Sequence, residues 1–200
     1  HLAGLSRPMS AHNKDIKKSI DLNIIGTCNL VKECSKKNIK LIYFSTNYVY
    51  PGTKGNYKEN DPVLPWNNYA WSKLGGECAV NMYKNSLILR VTMTEKPFKF
   101  KHAFTNLISN FMFHQDLVKF LPKLINKKGI INVGGKSQSV FKFARKFVDN
   151  TEAFLSDIAI MQSQYVDLIS SIISFKSSVD VDIGTPILQY KTAPDVRLME

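Results

Sequence analysis

The sequence predicts an α/β fold built on a doubly wound parallel sheet. Segments with the apolar spacing of helices alternate with short runs of β-branched and aromatic residues, as is typical of parallel strands joined by helical crossovers. The runs are largely apolar, which is expected for strands covered on both faces. With 44% hydrophobic residues, the 200-residue chain is long enough for one domain with a substantial core.

The first part of the chain predicts two helices on either side of one strand. Apolar side chains recur at near-helical spacing from Asp15 to Lys37, and a buried strand follows at residues 39–45. Residues 46–67 contain two glycines and three prolines, so we expect a long irregular loop, which in a compact domain is usually functional. The second helix is predicted over residues 69–84, where Gly75-Gly76 indicates close packing against a neighbour.

The alternation continues in the second part of the chain. We predict a strand at residues 86–91, a helix at about 116–126, a strand at 129–135 and a helix at about 139–148. These elements complete the pattern of a parallel sheet with right-handed crossovers.

The charge of the chain raises the question of a nucleic-acid partner. The net charge is +11, but 23 of the 27 basic residues are lysines scattered singly or in pairs. Such lysines are typical of a solvated surface, so we predict no nucleic-acid partner. The positive potential could still attract a small anionic substrate. Residues 151–200 hold seven acidic and three basic residues, which predicts a basic domain at 1–150 and an acidic C-terminal segment of unassigned role.

The sequence gives no signal for a membrane or a metal. No run approaches ~18 consecutive apolar residues and the N-terminus lacks a signal-peptide pattern, so we expect a soluble, cytoplasmic protein without a membrane partner. The three cysteines lack metal-type spacing, and no metal site is predicted. We expect His12 and His102 to be exposed to solvent.

One polar pair on the second predicted helix carries a candidate chemistry. Tyr69 and Lys73 are four residues apart, so they lie on one face of a helix. A phenol ordinarily titrates near ~10, but a neighbouring cation favours the phenolate and lowers its pKa. Tyr69 could then act as a general acid for a carbonyl that is being reduced. Taken alone, this spacing is more often an ordinary exposed polar face.

Three further polar residues add to this pair. Ser45 and Thr46 follow the first predicted strand, at the edge where doubly wound sheets bind ligands, and their hydroxyls can hold a substrate carbonyl. Asn23 lies near the apolar stripe of the first helix, where a buried amide needs several partners. It is either a satisfied core amide or a support for catalysis, and the two alternatives remain open.

Several segments together resemble the extended short-chain dehydrogenase/reductase family. They are "NIIGT", which begins at Asn23, "FSTNYVYPGTKGNYKENDPVLPWNNYAWSKLGGE", "LILRV" and "GIINVGG". The resemblance covers about residues 1–147, and the "STNYVYPGTKGNYKENDP" stretch is most similar to nucleotide-sugar reductases and epimerases of the dTDP-4-dehydrorhamnose reductase type. It implies a Rossmann-like sheet. It also favours a catalytic role for Tyr69 and Lys73 over the ordinary exposed polar face that their spacing alone indicates.

The resemblance also implies the reaction. The protein would reduce a nucleotide-linked 4-keto-6-deoxy sugar with NADP or NAD as cofactor. Tyr69 would donate a proton to the keto oxygen, and Lys73 would bind the nicotinamide ribose and lower the pKa of Tyr69.

Other positions match the family's motifs as well. Thr46 would orient the substrate, with Ser45 as a reserve candidate, and Asn23 would support a proton-relay water. Leu2 and Ala3 correspond to the end of the family's fourth strand, where the backbone lies near the cofactor. The long loop and the "TEKPFKFK" segment would face the sugar nucleotide.

One part of the family's pattern is missing. Neither G-x-x-G-x-x-G nor G-x-G-x-x-G, the turns that receive the pyrophosphate, occurs in the 200 residues. At ~30 residues per βαβ unit, we expect roughly 60 residues of the family's sheet to be absent ahead of His1, leaving the sheet incomplete at the N-terminus. The choice between NAD and NADP would be made in that part.

Alternative functions remain open. An epimerase of the same family would use the same Tyr69 and Lys73. A dehydratase is disfavoured because Asn47 stands where the family's dehydratases carry an acidic residue after Thr46. A catalytically silent regulatory or binding subunit, or an inactive fragment, is the alternative from a different class, and a homodimer is allowed.

Overall fold

The structure is a computed structural model that describes residues 1–96, 102–147 and 152–154. Its helices are α1 (Ala11–Lys14), α2 (Ile16–Ile20), α3 (Gly26–Lys36), α4 (Asn68–Asn81), α5 (His114–Leu124) and α6 (Val140–Ala144), with a π-helical turn at Asp21–Ile25 and a 3₁₀ turn at Asn47–Val49. Its strands are β1 (Leu41–Thr46), β2 (Ser86–Val91), β3 (Met93–Thr94), β4 (His102–Phe104), β5 (Ile108–Ser109), β6 (Met112–Phe113), β7 (Gly129–Val133), β8 (Gln138–Ser139) and β9 (Glu152–Phe154).

The main sheet confirms the predicted α/β class. Strands β1, β2 and β7 are parallel and lie in the order β1-β2-β7. The amide of Phe44 donates to the carbonyl of His1 at 3.4 Å, so the N-terminal residues run beside β1. Shorter strands form three further pairs, β3 with β6 and β4 with β9 in parallel and β5 with β8 antiparallel.

The middle strand β2 is covered on both faces. All six of its residues are buried, which explains why apolar residues lie on both faces of the strand. Leu87, Leu89 and Val91 pack in one cluster with Leu117 of α5. Ile88 packs in another cluster with residues of β1, α3 and α4. Helices therefore cover both faces, as a doubly wound sheet requires.

The first predicted helix is helical from Ile16 to Lys36 but is interrupted by the π-helical turn. Short π-helical turns often occur at functional sites. Helix α4 packs directly on this turn. A Cβ on Gly75 would lie 2.7 Å from Ile24 Cδ1, and a Cβ on Gly76 would lie 2.7 Å from the Asn23 carbonyl oxygen. The close packing predicted from the glycine pair is confirmed.

The remaining predictions differ from the structure mainly at element ends. Helix α5 begins at His114, two residues before the predicted start, and α6 ends at Ala144, earlier than predicted. Among the described residues, no helix combines the length and apolar character needed to cross a membrane. The same residues contain no group of three or more His, Cys, Asp or Glu placed to hold a metal ion. The predicted acidic segment lies outside the described residues except for β9.

Candidate active site

A cleft of about 920 Å³ opens at the carboxyl ends of β1 and β2. Its walls come from residues 2–9, residues 44–48, residues 91–95 and the side chains of Tyr69 and Lys73, with further apolar residues from the 103–111 region. This edge is where doubly wound sheets bind their ligands, and the volume suits a small organic molecule. The fold therefore provides a binding cleft at the position predicted for Ser45 and Thr46.

The start of α4 places the predicted pair in this cleft. The side chain of Asn67 caps the helix by accepting a hydrogen bond from the Ala70 amide at 2.8 Å. Tyr69 then lies in the first turn and Lys73 in the second, and both line the cleft. A side-chain hydrogen bond joins Tyr69 to Thr46 at the end of β1. The structure thus brings the three side chains to one cleft.

Burial dominates the electrostatics of Tyr69. It raises the pKa of the Tyr69 phenol, and the hydrogen bond from Thr46 and the charge of Arg7 only partly oppose it. The ammonium of Lys73 instead lies over the ring of Tyr43, 4.2 Å from the ring centroid. The pKa of Tyr69 is therefore raised overall in this cleft, because the loss of water around the phenol outweighs the neighbouring charges. The predicted effect of Lys73 on the Tyr69 pKa stays a prediction.

Lys73 has a perturbed pKa of its own. Burial lowers the pKa of Lys73 to about 8, and the charge of Glu77 acts in the opposite direction. A buried ammonium loses hydration, which favours the neutral amine. The contact with the Tyr43 ring is a cation–π interaction that stabilises the charged form. Lys73 can therefore change its protonation state in the weakly alkaline range.

Asn23 holds the N-terminal wall of the cleft. Its Oδ1 accepts a hydrogen bond from the Leu5 amide at 2.7 Å, and its Nδ2 donates to the Leu5 carbonyl and to Ser72 Oγ, both at 2.8 Å. Gly4 has φ +152, and a Cβ there would lie 2.7 Å from Asn23 Oδ1. A side chain at residue 4 would break this contact. The Asn23 amide is therefore fully hydrogen-bonded and also orders the cleft wall. This is consistent with a satisfied core amide and with a support for catalysis.

Leu2 and Ala3 form the adjoining wall, beside the end of β1. Together with Tyr69 and Lys73 they give one end of the cleft an apolar surface next to a phenol and an ammonium group. The Gly-rich turn that would bind a pyrophosphate does not occur in the sequence.

Ser45 belongs to a different set of contacts. Its hydroxyl donates to Glu77 Oε2 at 3.1 Å, although the residue borders the cleft. Glu77 Oε1 accepts from Arg90 Nε at 2.7 Å, and both side chains of this ion pair are buried. The sequence analysis missed the pair. Glu77 lies one turn after Lys73 on the same face, and Arg90 is the only charged residue in "SLILRV".

The long loop contributes less to the cleft than predicted. Within residues 46–67, only Thr46, Asn47 and Tyr48 line it. The next part of the loop packs on the ends of β2 and β7. Arg90 Nη1 donates to Tyr50 Oη at 2.7 Å, and the Asn132 amide donates to a Glu59 carboxylate oxygen at 2.8 Å. Of the "TEKPFKFK" segment, Thr94 and Glu95 line the cleft and residues 97–101 lie outside the described residues.

The prediction that His12 is exposed is wrong. Its side chain has no exposed surface, because the short α1 folds against α2 and α4. Its Nδ1 is 2.7 Å from Ser19 Oγ, and its ring packs edge-on with Tyr69 at 5.2 Å between centroids. A histidine beside a polar stretch gives no sequence signal for this burial. The side chain of His102 lies outside the described part of the chain.

Comparisons with known proteins identify relatives of this chain. Residues 5–112 match the family described as RmlD substrate binding domain. The chain is 40% identical over 80 residues to methionine adenosyltransferase 2 subunit beta of Pongo abelii, covering 40% of this chain and 24% of that protein. It is 32% identical over 142 residues to dTDP-D-glucose 4,6-dehydratase of Homo sapiens, covering 68% of this chain and 37% of that protein.

The fold has a counterpart among solved structures. The dTDP-4-dehydrorhamnose reductase of Bacillus anthracis, solved in complex with NADP, superposes with a TM-score of 0.66 at 24% identity. The match covers 78% of this chain and 63% of that one. The chain thus spans only part of the length of the proteins it matches.

Proposed function

The chain belongs to the RmlD substrate-binding domain family, and on this basis we propose that it forms the catalytic cleft of a nicotinamide-dependent nucleotide-sugar reductase. The expected substrate is a nucleotide-linked 4-keto-6-deoxy sugar. The observation that carries the proposal is the convergence of Tyr69, Lys73 and Thr46 on one cleft at the carboxyl ends of β1 and β2. Their spacing and order match the resemblance noted from the sequence alone.

Each of these side chains has a part in the proposed reaction. The bound cofactor, NADP or NAD, would supply the hydride. Tyr69 would donate its phenolic proton to the keto oxygen, and Thr46, which is hydrogen-bonded to Tyr69, would hold that oxygen in place. Lys73 would bind the ribose of the cofactor and, in its ammonium form, stabilise the phenolate that Tyr69 becomes. Leu2 and Ala3 would form the backbone wall beside the nicotinamide.

The test is Tyr69→Phe in the full-length protein that contains this chain. We expect turnover to fall by about 10²–10⁴-fold, the usual contribution of a positioned proton donor. Binding of NADPH, followed by its fluorescence, should change little, since the ring is retained. Tyr83→Phe is a matched control, because Tyr83 Oη bonds to the Ile39 carbonyl at 2.9 Å in a core cluster that contains none of these three side chains. Unchanged turnover in Tyr69→Phe would remove Tyr69 from this role.

A second candidate function has a specific observation in its favour. The similarity to a protein named as a subunit of methionine adenosyltransferase favours a regulatory partner without reductase activity. In that case the full-length protein would alter the rate of a methionine adenosyltransferase, and Tyr69→Phe would leave that effect intact. An epimerase would convert its sugar without net consumption of NADPH. Product analysis together with the cofactor absorbance therefore separates the three functions.

A further inference from the structure

His12 is a buried ionisable side chain in contact with the proposed proton donor. It lies in α1 and has no exposed surface, and Ser19 Oγ binds its Nδ1 at 2.7 Å. Its Nε2, the other ring nitrogen, is buried and has no hydrogen-bond partner among the described residues. Buried polar atoms are nearly always paired, so an orphaned one needs an explanation.

The neighbouring ring of Tyr69 is a candidate partner for this nitrogen. The His12 and Tyr69 rings are inclined at 62°, with 5.2 Å between their centroids. In this arrangement an N–H group directed at an aromatic face is attractive, whereas a nitrogen lone pair in the same place is repelled by the π electrons. A Ser19 hydroxyl that donates to Nδ1 leaves the proton on Nε2. In that tautomer Nε2 carries the N–H that suits the Tyr69 ring.

We propose that His12 is a positioning residue for Tyr69, with its Nε2–H directed at the face of the phenol ring. The proposal rests on the function proposed for Tyr69. Tyr48 contacts the same ring at 6.3 Å and 88°, so His12 and Tyr48 together restrict its rotation. The hydroxyl of Tyr69 is then held toward Thr46. The positive end of the N–H dipole also stabilises the phenolate, which makes Tyr69 a stronger acid.

The charges around the two rings are compatible with this role. Arg7 acts on Tyr69 from the N-terminal wall, Tyr48 from the segment after β1, and Lys73 lies one turn further along α4. Near His12, Lys14 and Asp15 are exposed, while Ser19 is the buried polar contact from α2. Burial lowers the pKa of His12, so the imidazole is neutral at neutral pH and offers a single N–H.

The test compares His12→Phe with His12→Gln in the full-length protein. Phe keeps a ring without the N–H, and Gln keeps an N–H donor without the ring. The titration of Tyr69 is followed by NMR with tyrosine labelled at Cζ, and the signal is assigned by its loss in Tyr69→Phe. In His12→Phe we expect Tyr69 to titrate at higher pH and kcat at pH 7 to fall by about two- to fivefold, the strength of such a contact. His12→Gln should recover part of both effects.

Tyr83→Phe is again the control. It should lower the stability of the fold without moving the titration of Tyr69. An unmoved Tyr69 titration in a folded His12→Phe variant would overturn the proposal. If that variant does not fold, Ser19→Ala replaces it. We then expect Tyr69 again to titrate at higher pH, by a smaller amount. The titration needs no turnover, so it is independent of Tyr69→Phe kinetics, which test the proposed function.

Discussion

Two sets of polar side chains lie along α4, and they differ in how their atoms are paired. In the first, the Glu77 carboxylate accepts hydrogen bonds from Ser45 and Arg90, and Arg90 also donates to Tyr50 and to the Glu59 carbonyl. This set links α4, β1, β2 and the long loop. We refer to it as the Glu77 network.

The second set is the cleft group of Tyr69, Lys73 and Thr46. Tyr69 is hydrogen-bonded to Thr46, while Lys73 faces an aromatic ring and has a pKa lowered to about 8. Adjacent residues of β1 therefore belong to different sets, Ser45 to the Glu77 network and Thr46 to the cleft group. The groups of the Glu77 network have their polar atoms paired with protein partners, whereas Tyr69 and Lys73 face a cleft and are available to a ligand.

The largest expected effect on the Glu77 network comes from Arg90→Met. It leaves the Glu77 carboxylate buried without its cation, which costs about 3–5 kcal/mol of unfolding free energy. Urea unfolding measures this loss. The double variant Glu77→Leu/Arg90→Met should recover part of the stability, because both charges of the ion pair are then removed while Lys73 loses the Glu77 charge that favours its ammonium form. A loss no larger than that of a surface ion pair, such as Lys36 with Glu33, would contradict the comparison.

The corresponding change in the cleft group is Lys73→Met. It should lower turnover but raise the free energy of unfolding. Turnover should fall by about 10²-fold or more, because the proposed reaction loses a preorganised charge. Stability at pH 7 should rise, since the variant no longer buries an ammonium.

The pH dependence of this gain in stability follows from the lowered pKa. Below pH 8 the ammonium is charged in both folded and unfolded chains, so the burial cost is fully present in the wild type. As pH rises from about 8 toward the ordinary value of 10.5, the wild type recovers stability and the difference from Lys73→Met shrinks. Thermal unfolding at several pH values measures this, and a difference independent of pH would show that Lys73 is not perturbed.

The smallest expected effects separate the two adjacent hydroxyls. Ser45→Ala removes one hydrogen bond to Glu77 and should cost about 1 kcal/mol of stability, with turnover near that of the wild type. Thr46→Ala should lower turnover by about 10-fold, the equivalent of one hydrogen bond in the transition state, and Thr46→Ser should restore much of it. Equal effects of Ser45→Ala and Thr46→Ala on turnover would mean that both hydroxyls serve the cleft.

Much of the fold could be predicted because its signals are local. The run at residues 86–91 is apolar at four of its six positions, and the structure buries all six of its residues as β2. Gly75 and Gly76 predicted a close approach, and α4 lies against the π-helical turn at those residues. Such patterns depend on neighbours in the sequence.

Residues of the candidate site could be predicted only where their spacing in the sequence or a family resemblance indicated them. Tyr69 and Lys73 are four residues apart, whereas Glu77 pairs with Arg90 and His12 packs on Tyr69 across separate elements. Contacts between elements depend on packing angles that one sequence does not reveal. Likewise, the effect of burial on the Tyr69 pKa required knowing how much water the fold removes from the phenol.

The π-helical turn at Asp21–Ile25 sets a constraint on chain length. It accommodates more residues per turn than the α-helix around it, so deleting one residue there would let the helix become regular. The residues ahead of the turn would keep their orientation, because the wider turn already absorbs one extra residue. Deleting one residue from α2 (Ile16–Ile20) would instead rotate the residues ahead of it by about 100° about the helix axis and move the α1 segment that carries His12 away from Tyr69. Single-residue deletions should therefore be tolerated far less in α2 than within Asp21–Ile25.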